Sequence, residues 1–221
     1  MTCDLLPKRN ADILRSRKYD RYHLGCNLVV VRGWLNIDFL PNSPSPTGEF
    51  YVEPLSSDKS YYFLNWDLSE GLPADNNTLE FVYHSHFLEH ITYRQGLNLL
   101  QQIYAALKPG GKQRIVVPDL EVYCKAYLQK NDEFLGRYKS SEPNLQTGLH
   151  ETRGSIFVSQ LYEHGHKMGW DFETLHWALS KIGFRNIRRT ECRETEFPDI
   201  DKLEICEDFR VSESMFVECE K

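Results

Sequence analysis

Short apolar runs alternate with longer amphipathic segments along this chain, and few architectures accommodate that alternation. The runs predict strands at Arg21–Gly25, Trp34–Asp38, Tyr61–Asp67, Leu79–His84 and Gln113–Pro118. Parallel strands are usually joined by long crossover connections that contain a helix, whereas antiparallel strands can be joined by short turns. The spacing therefore predicts an open α/β sheet in which most strands are parallel.

Two segments carry the spacing of helices. Apolar residues recur every three or four positions over Arg94–Leu107, and Pro109-Gly110-Gly111 ends that helix. A second helix is predicted over Asp171–Ile182, with Asp171 as its N-cap and Gly183 directly after its last turn. The remaining segments are predicted as strands at Phe184–Thr190 and Ser214–Glu220, and as a loop at Pro41–Gly48.

The composition sets the domain count and argues against some partners. With 221 residues, 41% of them hydrophobic, we predict one domain over residues 1–221 with an N-terminal helical extension at residues 1–20. The net charge of −6 argues against a nucleic-acid partner, which needs a basic face. No segment has the roughly 18 apolar residues of a membrane span. Since the six cysteines form no CxxC pair and no signal peptide is evident, we expect a cytoplasmic protein with reduced thiols and no membrane partner.

A glycine and two acidic residues end the first three predicted strands. At Gly25 the missing Cβ lets a ligand approach the backbone. At Asp38 a carboxylate can accept hydrogen bonds from both hydroxyls of a ribose, and Asp67, followed by Leu68, can meet an adenine amino group. Two of the three also have an ordinary explanation, Gly25 as a strand-to-loop glycine and Asp67 as a turn residue or N-cap.

The fourth strand runs into a polar segment, Phe81-Val82-Tyr83-His84-Ser85-His86-Phe87-Leu88-Glu89-His90. Open α/β sheets bind ligands at the carboxyl ends of their strands. The polar segment therefore predicts a binding site at this edge of the sheet.

The order of these motifs resembles that of the class I methyltransferases that use S-adenosylmethionine (SAM). The matching segments are Leu24-Gly25-Cys26, Gly33-Trp34-Leu35-Asn36-Ile37-Asp38, Asp67-Leu68, Ser85-His86-Phe87-Leu88-Glu89-His90 and Leu107-Lys108-Pro109-Gly110-Gly111. More narrowly, the chain is similar to predicted bacterial methyltransferases whose first strand ends in Leu-Gly-Cys-Gly and whose fifth leads to Pro-Asp-Leu, here Pro118-Asp119-Leu120. The resemblance implies a Rossmann-like, mostly parallel seven-stranded sheet with an antiparallel last strand and helices on both faces.

The resemblance also implies a cofactor, SAM, and a role for each matching residue. Gly25 would lie beneath the methionine part, Asp38 would hold the ribose, Asp67 would meet the adenine, and His84 to His86 would face the methionine end and the substrate. Residues 119–183 would cover the substrate, and the turn at Leu107–Gly111 would only position the fifth strand. The cofactor-binding residues are then Gly25, Cys26, Asn27, Asp38, Asp67, Leu68, His84 and Ser85.

Two departures from the family pattern suggest an alternative. Asn27 stands where the family usually has a second glycine, which brings a side chain toward the cofactor although Asn tolerates a left-handed backbone. Only Asn27–Gly33 separate the first two strands, too few residues for a crossover helix. A catalytically silent SAM-fold protein that serves as a binding partner is therefore the second hypothesis.

Histidines are the candidates for catalysis. An oxygen nucleophile that attacks the methyl group must lose its proton, and histidine is suited to take it near neutral pH. His86 is the first candidate, and His164 with His166 is the second. The preferred function is methyl transfer to a small-molecule or saccharide acceptor. The saccharide is implied by the resemblance alone, because similar proteins often accompany polysaccharide synthesis.

A third hypothesis is a zinc hydrolase, because His86-Phe87-Leu88-Glu89-His90 fits the H-x-x-E-H pattern of inverted zinc peptidases. No third ligand is evident in the sequence, so this hypothesis ranks last. Some methyltransferases that act on hydroxyls hold magnesium in this region, and Glu89 with His90 is a candidate pair, although capping or packing is the preferred explanation. We assign no metal ligand from the sequence.

Overall fold

The computed structural model describes residues 19–40, 52–54, 62–138 and 150–221. The loop predicted at Pro41–Gly48 and all but the last two residues of the predicted N-terminal extension lie outside these ranges. None of the helices in the described ranges has the length and hydropathy that a membrane span requires.

The described strands form one sheet, in the order β3-β4-β2-β1-β5-β6-β8-β7. Strand β8 runs antiparallel to both of its neighbours, and β3 runs antiparallel to β4. The other pairs are parallel, which confirms the predicted architecture, to which β3 adds an eighth strand at one edge. The strands are β1 (Arg21–Leu24), β2 (Leu35–Asp38), β3 (Val52–Pro54), β4 (Tyr62–Asn65), β5 (Leu79–Ser85), β6 (Leu107–Pro118), β7 (Arg185–Thr190) and β8 (Ser214–Glu220).

Strand β6 begins earlier than predicted. The segment predicted as a turn, Leu107–Gly111, already belongs to the strand, with an irregularity in its register against β5. Gly110 has a φ of 78°, and its N–H donates to the carbonyl of Lys221. This end of β6 lies opposite the carboxyl ends of the parallel strands, where the site is predicted.

The helices begin and end where the capping residues indicate. A capping box at Thr92 and Gln95 starts α1, and Asp171 accepts a hydrogen bond from the N–H of Thr174 as the N-cap of α5. Gly183 ends α5 with a φ of 116°, as its predicted position after the last turn requires. The helices are α1 (Tyr93–Ala106), α2 (Leu120–Leu128), α3 (Asp132–Gly136), α4 (Arg153–Tyr162), α5 (Phe172–Ile182), α6 (Ile200–Leu203) and α7 (Asp208–Glu213), with a 3₁₀ turn at Leu88–His90.

The two faces of the sheet are covered differently. Helices α1 and α5 pack on one face, where Leu100 and Leu179 are fully buried against apolar strand residues. On the other face the core contains Trp34, Phe197 and Phe216. The helix that contributes to this core is α6, which has four residues. Helices α2, α3 and α4 form a third, mainly aromatic cluster beyond the carboxyl end of β6.

The connection between β1 and β2 is built without a helix. Residues 27–33, all described, form turns, as the short spacing predicted. The buried side chain of Asn36 holds the turns, because its amide donates to the carbonyls of Val31 and Trp34 and accepts from the N–H of Val31 at 2.8 Å. A side chain thus supplies hydrogen bonds that a helix would make internally.

Cys192 and Cys206 form a disulfide. The expectation of reduced thiols is therefore wrong for this pair, whereas Cys26, Cys124 and Cys219 are free. The two cysteines lie in or beside the irregular segment that covers the second face, where no spacing motif marks them. Their Cα atoms are 6.2 Å apart, within the usual range for a disulfide.

Candidate active site

The order of strands reverses at the centre of the sheet. From β1 the chain proceeds outward through β2 to β4, and it then returns to β5 on the other side of β1. Ligands of open α/β sheets bind outside the carboxyl ends of the strands at such a reversal. The candidate site therefore lies at the ends of β1, β2 and β5.

Asp38 joins the ends of β1 and β2. Its Oδ2 accepts a hydrogen bond from the N–H of Asn27 at 2.5 Å, and its Oδ1 accepts one from the N–H of Phe39 at 2.7 Å. Each carboxylate oxygen has two lone pairs, so each can accept one further hydrogen bond from a ligand. The side chain is only half-buried, and the two strand ends meet as the sequence-based hypothesis requires.

Gly25 and Asn27 both adopt left-handed backbone conformations, with φ values of 61° and 46°. A Cβ at Gly25 would lie 2.6 Å from the Cβ of Phe87. The close approach of the segment after β5 therefore requires a glycine at position 25. The Phe87 side chain thus occupies space beside Gly25. Cys26, between them, is buried, and burial followed by the Asp38 carboxylate raises the pKa of its thiol.

Asp67 lies in a turn, and Leu68 belongs to the hydrophobic core. Asp67 accepts a hydrogen bond from the N–H of Ser69 at 2.9 Å, as in an Asx turn. Leu68 is 3% exposed and packs with the helix-covered core. Asp67 lies near Asp38 because Asn65, two residues earlier, pairs with Asp38 across β2 and β4.

His84 differs from the other predicted cofactor contacts. Its ring is fully buried within the sheet, with Nε2 2.9 Å from Nε2 of Gln113. Burial lowers the pKa of His84 to about 4, which keeps the ring neutral at neutral pH. The side chain of His84 therefore does not face the candidate site at the strand ends. Its backbone continues β5 into Ser85.

His86 lies just beyond β5 in a left-handed conformation, with a φ of 49°. Its Nε2 is 2.8 Å from the hydroxyl of Ser214, and its Nδ1 accepts a hydrogen bond from Arg210 at 2.8 Å. Arg210 in turn donates to Glu213, whose other oxygen accepts from two buried tyrosines. A chain of polar contacts thus fixes the orientation of the imidazole.

The second pair of histidines is brought to the same end of the sheet. The backbone N–H groups of Lys167 and Met168 donate to the carbonyl of Glu89, which ties their segment to the 3₁₀ turn. The rings of His90 and His166 contact each other edge to face, with centroids 4.9 Å apart. Glu89 lies between His86 and the pair His90 and His166, since its Oε1 is 3.4 Å from Nδ1 of His86 and 3.9 Å from Nε2 of His90.

Four residues of this region were not predicted from the sequence. Arg210, Glu213 and Ser214 lie at the end of α7 and the start of β8, more than a hundred positions from His86 in the chain. No local spacing indicates such a contact. Asn36 did carry a signal, because it is a polar residue in an otherwise apolar strand, and its full burial explains that pattern.

The H-x-x-E-H segment does not form the geometry of an inverted zinc peptidase. Both ring nitrogens of His86 contact Ser214 and Arg210, and the segment folds as a strand end followed by a 3₁₀ turn. His86 and His90 are therefore not one turn apart on an α-helix. The zinc hydrolase hypothesis lacks the ligand arrangement on which it depends.

No known family model matches this sequence, and no curated protein does either. Among solved structures, a SAM-dependent methyltransferase from Archaeoglobus fulgidus is 18% identical and covers 96% of this chain and 92% of its own, with a TM-score of 0.49. A S-adenosylmethionine-dependent methyltransferase from Mesorhizobium loti is 14% identical over 95% of this chain and 96% of its own, with a TM-score of 0.47. Phosphoethanolamine N-methyltransferase 2 from Haemonchus contortus, solved with SAM, is 14% identical over 97% of this chain and 52% of its own, with a TM-score of 0.48.

The fold class depends on the strands themselves. A mostly parallel sheet whose last strand runs antiparallel is the arrangement that the resemblance to class I methyltransferases implied, and the structure places that strand, β8, between β6 and β7. The chain therefore has the class I methyltransferase fold.

Proposed function

We propose that this protein transfers a methyl group from SAM to an oxygen atom of a small-molecule or saccharide acceptor. The observation that carries the proposal is the position of Asp38. Two backbone N–H groups fix its carboxylate at the junction of β1 and β2, and in the part of the chain that the structure describes one lone pair on each oxygen stays available. A carboxylate held in this way is suited to accept hydrogen bonds from two adjacent hydroxyls.

The surroundings of Asp38 suit a nucleoside. Phe39 and Leu40 follow Asp38 in the chain, and Leu28 follows Asn27, whose N–H donates to Asp38; the three side chains Leu28, Phe39 and Leu40 are exposed at 90%, 38% and 52%. Exposed apolar side chains beside a polar anchor are typical of sites that bind a ring with a sugar attached. When bound, SAM supplies a methyl group on a positively charged sulfur, and the residues of this chain orient it and exclude water.

His86 is the proposed general base. Methyl transfer to oxygen requires a group that removes the hydroxyl proton, and the imidazole lies at the end of β5, beside the reversal of strand order. Because Arg210 can only donate, Nδ1 carries the lone pair of the neutral ring, and it takes up the hydroxyl proton when the acceptor displaces Arg210, while Ser214 holds the ring in place through Nε2. In this proposal His164 and His166 lie outside the proton transfer.

The experiment is calorimetric titration of the full chain with SAM and with its demethylated product, S-adenosylhomocysteine. We expect saturable binding, and we expect Asp38→Asn to weaken it by about 1–3 kcal/mol because the amide presents a donor where the ribose needs an acceptor. Glu133→Gln, an exposed change in α3, is the matched control and should leave the affinity unchanged. Equal affinities of the wild-type and Asp38→Asn proteins would contradict the assignment of the ribose site.

A second candidate function is a silent SAM-fold protein that acts as a binding partner. The observation in its favour is the Phe87 side chain, which fills the space beside Gly25. Absence of binding of either compound at millimolar concentration would support this candidate. Binding of S-adenosylhomocysteine would contradict it, because the ring must then leave that space accessible.

A further inference from the structure

Glu89 is an unusual carboxylate for a buried position. Its side chain is 2% exposed, and within the described ranges neither oxygen has a hydrogen-bond partner, since Nδ1 of His86 is 3.4 Å from Oε1. A buried ionised group without partners costs several kcal/mol, so such groups are normally paired or coordinate a metal.

Two imidazoles present nitrogen atoms to this carboxylate. Nδ1 of His166 is 2.8 Å from the carbonyl oxygen of Gln160, which holds the proton on Nδ1 and leaves a lone pair on Nε2. His90 directs Nε2 toward Glu89, and the backbone of Gly165 lies against its Nδ1. Metal-binding histidines typically have one nitrogen fixed by a carbonyl in this way.

We propose that Glu89, His90 and His166 bind a divalent transition-metal ion of the Zn²⁺ type. Their ligand atoms all lie within 4.8 Å of one another. Zinc bonds of about 2.0–2.2 Å place two tetrahedral ligands roughly 3.4 Å apart, so side-chain rotations of about an ångström complete the set. Two imidazoles with one carboxylate favour zinc, iron or cobalt over magnesium, which prefers oxygen ligands.

The set leaves a coordination position open. The His90 side chain is 38% exposed, so a water molecule or the oxygen of a second ligand can reach the ion. Three protein ligands with one open position are typical of catalytic rather than structural zinc sites. The site lies at the same end of the sheet as Asp38, but it uses none of the residues that bind SAM in the proposed function.

The test uses the full chain, stripped with a chelator and titrated with Zn²⁺ by calorimetry and with Co²⁺ by visible absorption. We expect one equivalent of metal ion to bind and Mg²⁺ to fail to compete. We expect His166→Ala to weaken binding by at least about tenfold, because even the loss of a residue that only supports a ligand costs about that much metal affinity. His164→Ala is the matched control, because this neighbouring ring is 5.8 Å from that of His166 and outside the ligand set. Absence of saturable binding, or an equal loss in both variants, would overturn the proposal.

Glu89→Gln distinguishes a ligand from a structural carboxylate. The variant should weaken Zn²⁺ binding by at least about tenfold and should melt no lower than the wild-type protein without metal, since it removes an unpartnered buried charge. A lower melting temperature without metal, with Zn²⁺ affinity unchanged, would show that Glu89 only supports the fold. Both measurements omit SAM and any acceptor, so their outcome is independent of the proposed methyl transfer.

Discussion

One face of the sheet packs against two long helices, whereas the other packs against irregular chain around a buried guanidinium. On the helix-covered face, contacts such as those of Leu100 are apolar and tolerate changes that conserve volume. On the opposite face, Arg114 is fully buried and donates to Glu204, Glu218, Thr190 and the carbonyl of Glu191. The comparison indicates that hydrogen-bond geometry holds the second face together where regular packing is absent.

The largest expected effect comes from removing the charge at the centre of the second face. Arg114→Met keeps the volume but leaves Glu204 buried without its cation and Glu218 with only its exposed partner Arg188, so we expect a loss of about 3–5 kcal/mol in the free energy of unfolding. Urea denaturation at pH 7 measures it. Arg188→Met is the control, because Arg188 pairs with the same Glu218 from a position 60% exposed, where an ion pair contributes at most about 1 kcal/mol. Similar losses in the two variants would contradict the special role of the buried contact.

Helix α5 shows how far local sequence signals reach. Its N-cap Asp171 and its final Gly183 both act within one helical turn, so the helix was predicted with correct bounds. Most strands were predicted to within a few residues for the same reason, since apolar runs mark them locally, but β6 begins six residues earlier than predicted and β3 was not predicted. Asp38 was placed correctly at the end of β2 because strand ends also follow from those runs.

The contacts that could not be predicted join distant parts of the chain. Arg114 meets Glu204 across 90 positions, and His86 meets Ser214 across 128. Periodicity carries no information about such pairs, which depend on the order of the strands and on irregular segments. The function of a strand-end residue can therefore be proposed from sequence, but its partners require the structure.

Acid titration compares one buried histidine on each face. His84 lies on the helix-covered face and His23 on the other, and burial is the main cause that lowers the pKa of each from 6.5 to about 4. Between these values the unfolded state binds more protons than the folded state, so stability is complete above pH 6.5 and falls as the pH drops toward 4.

The size of that loss is roughly 2–3 kcal/mol per histidine at pH 4.5, with the two sites treated as independent. Urea denaturation at pH 7 and at pH 4.5 should show a shallower dependence in His84→Leu and in His23→Leu than in the wild-type protein. His176→Leu, an exposed change in α5, controls for the loss of one histidine. An unchanged dependence in either buried variant would show that its ring is not kept neutral by the fold.

The smallest expected effects are the losses in stability caused by one conservative substitution on each face. Leu100→Met on the helix-covered face conserves volume and should cost less than about 1.5 kcal/mol, because a flexible apolar chain can refill the space. Thr190→Val on the opposite face also conserves shape, but it removes the hydroxyl that accepts from Arg114 at 2.8 Å. A hydrogen bond to a charged group contributes about 1.5–3 kcal/mol, so Thr190→Val should be the more destabilising. If denaturation finds the reverse order, hydrogen-bond geometry does not distinguish the second face, and volume governs both.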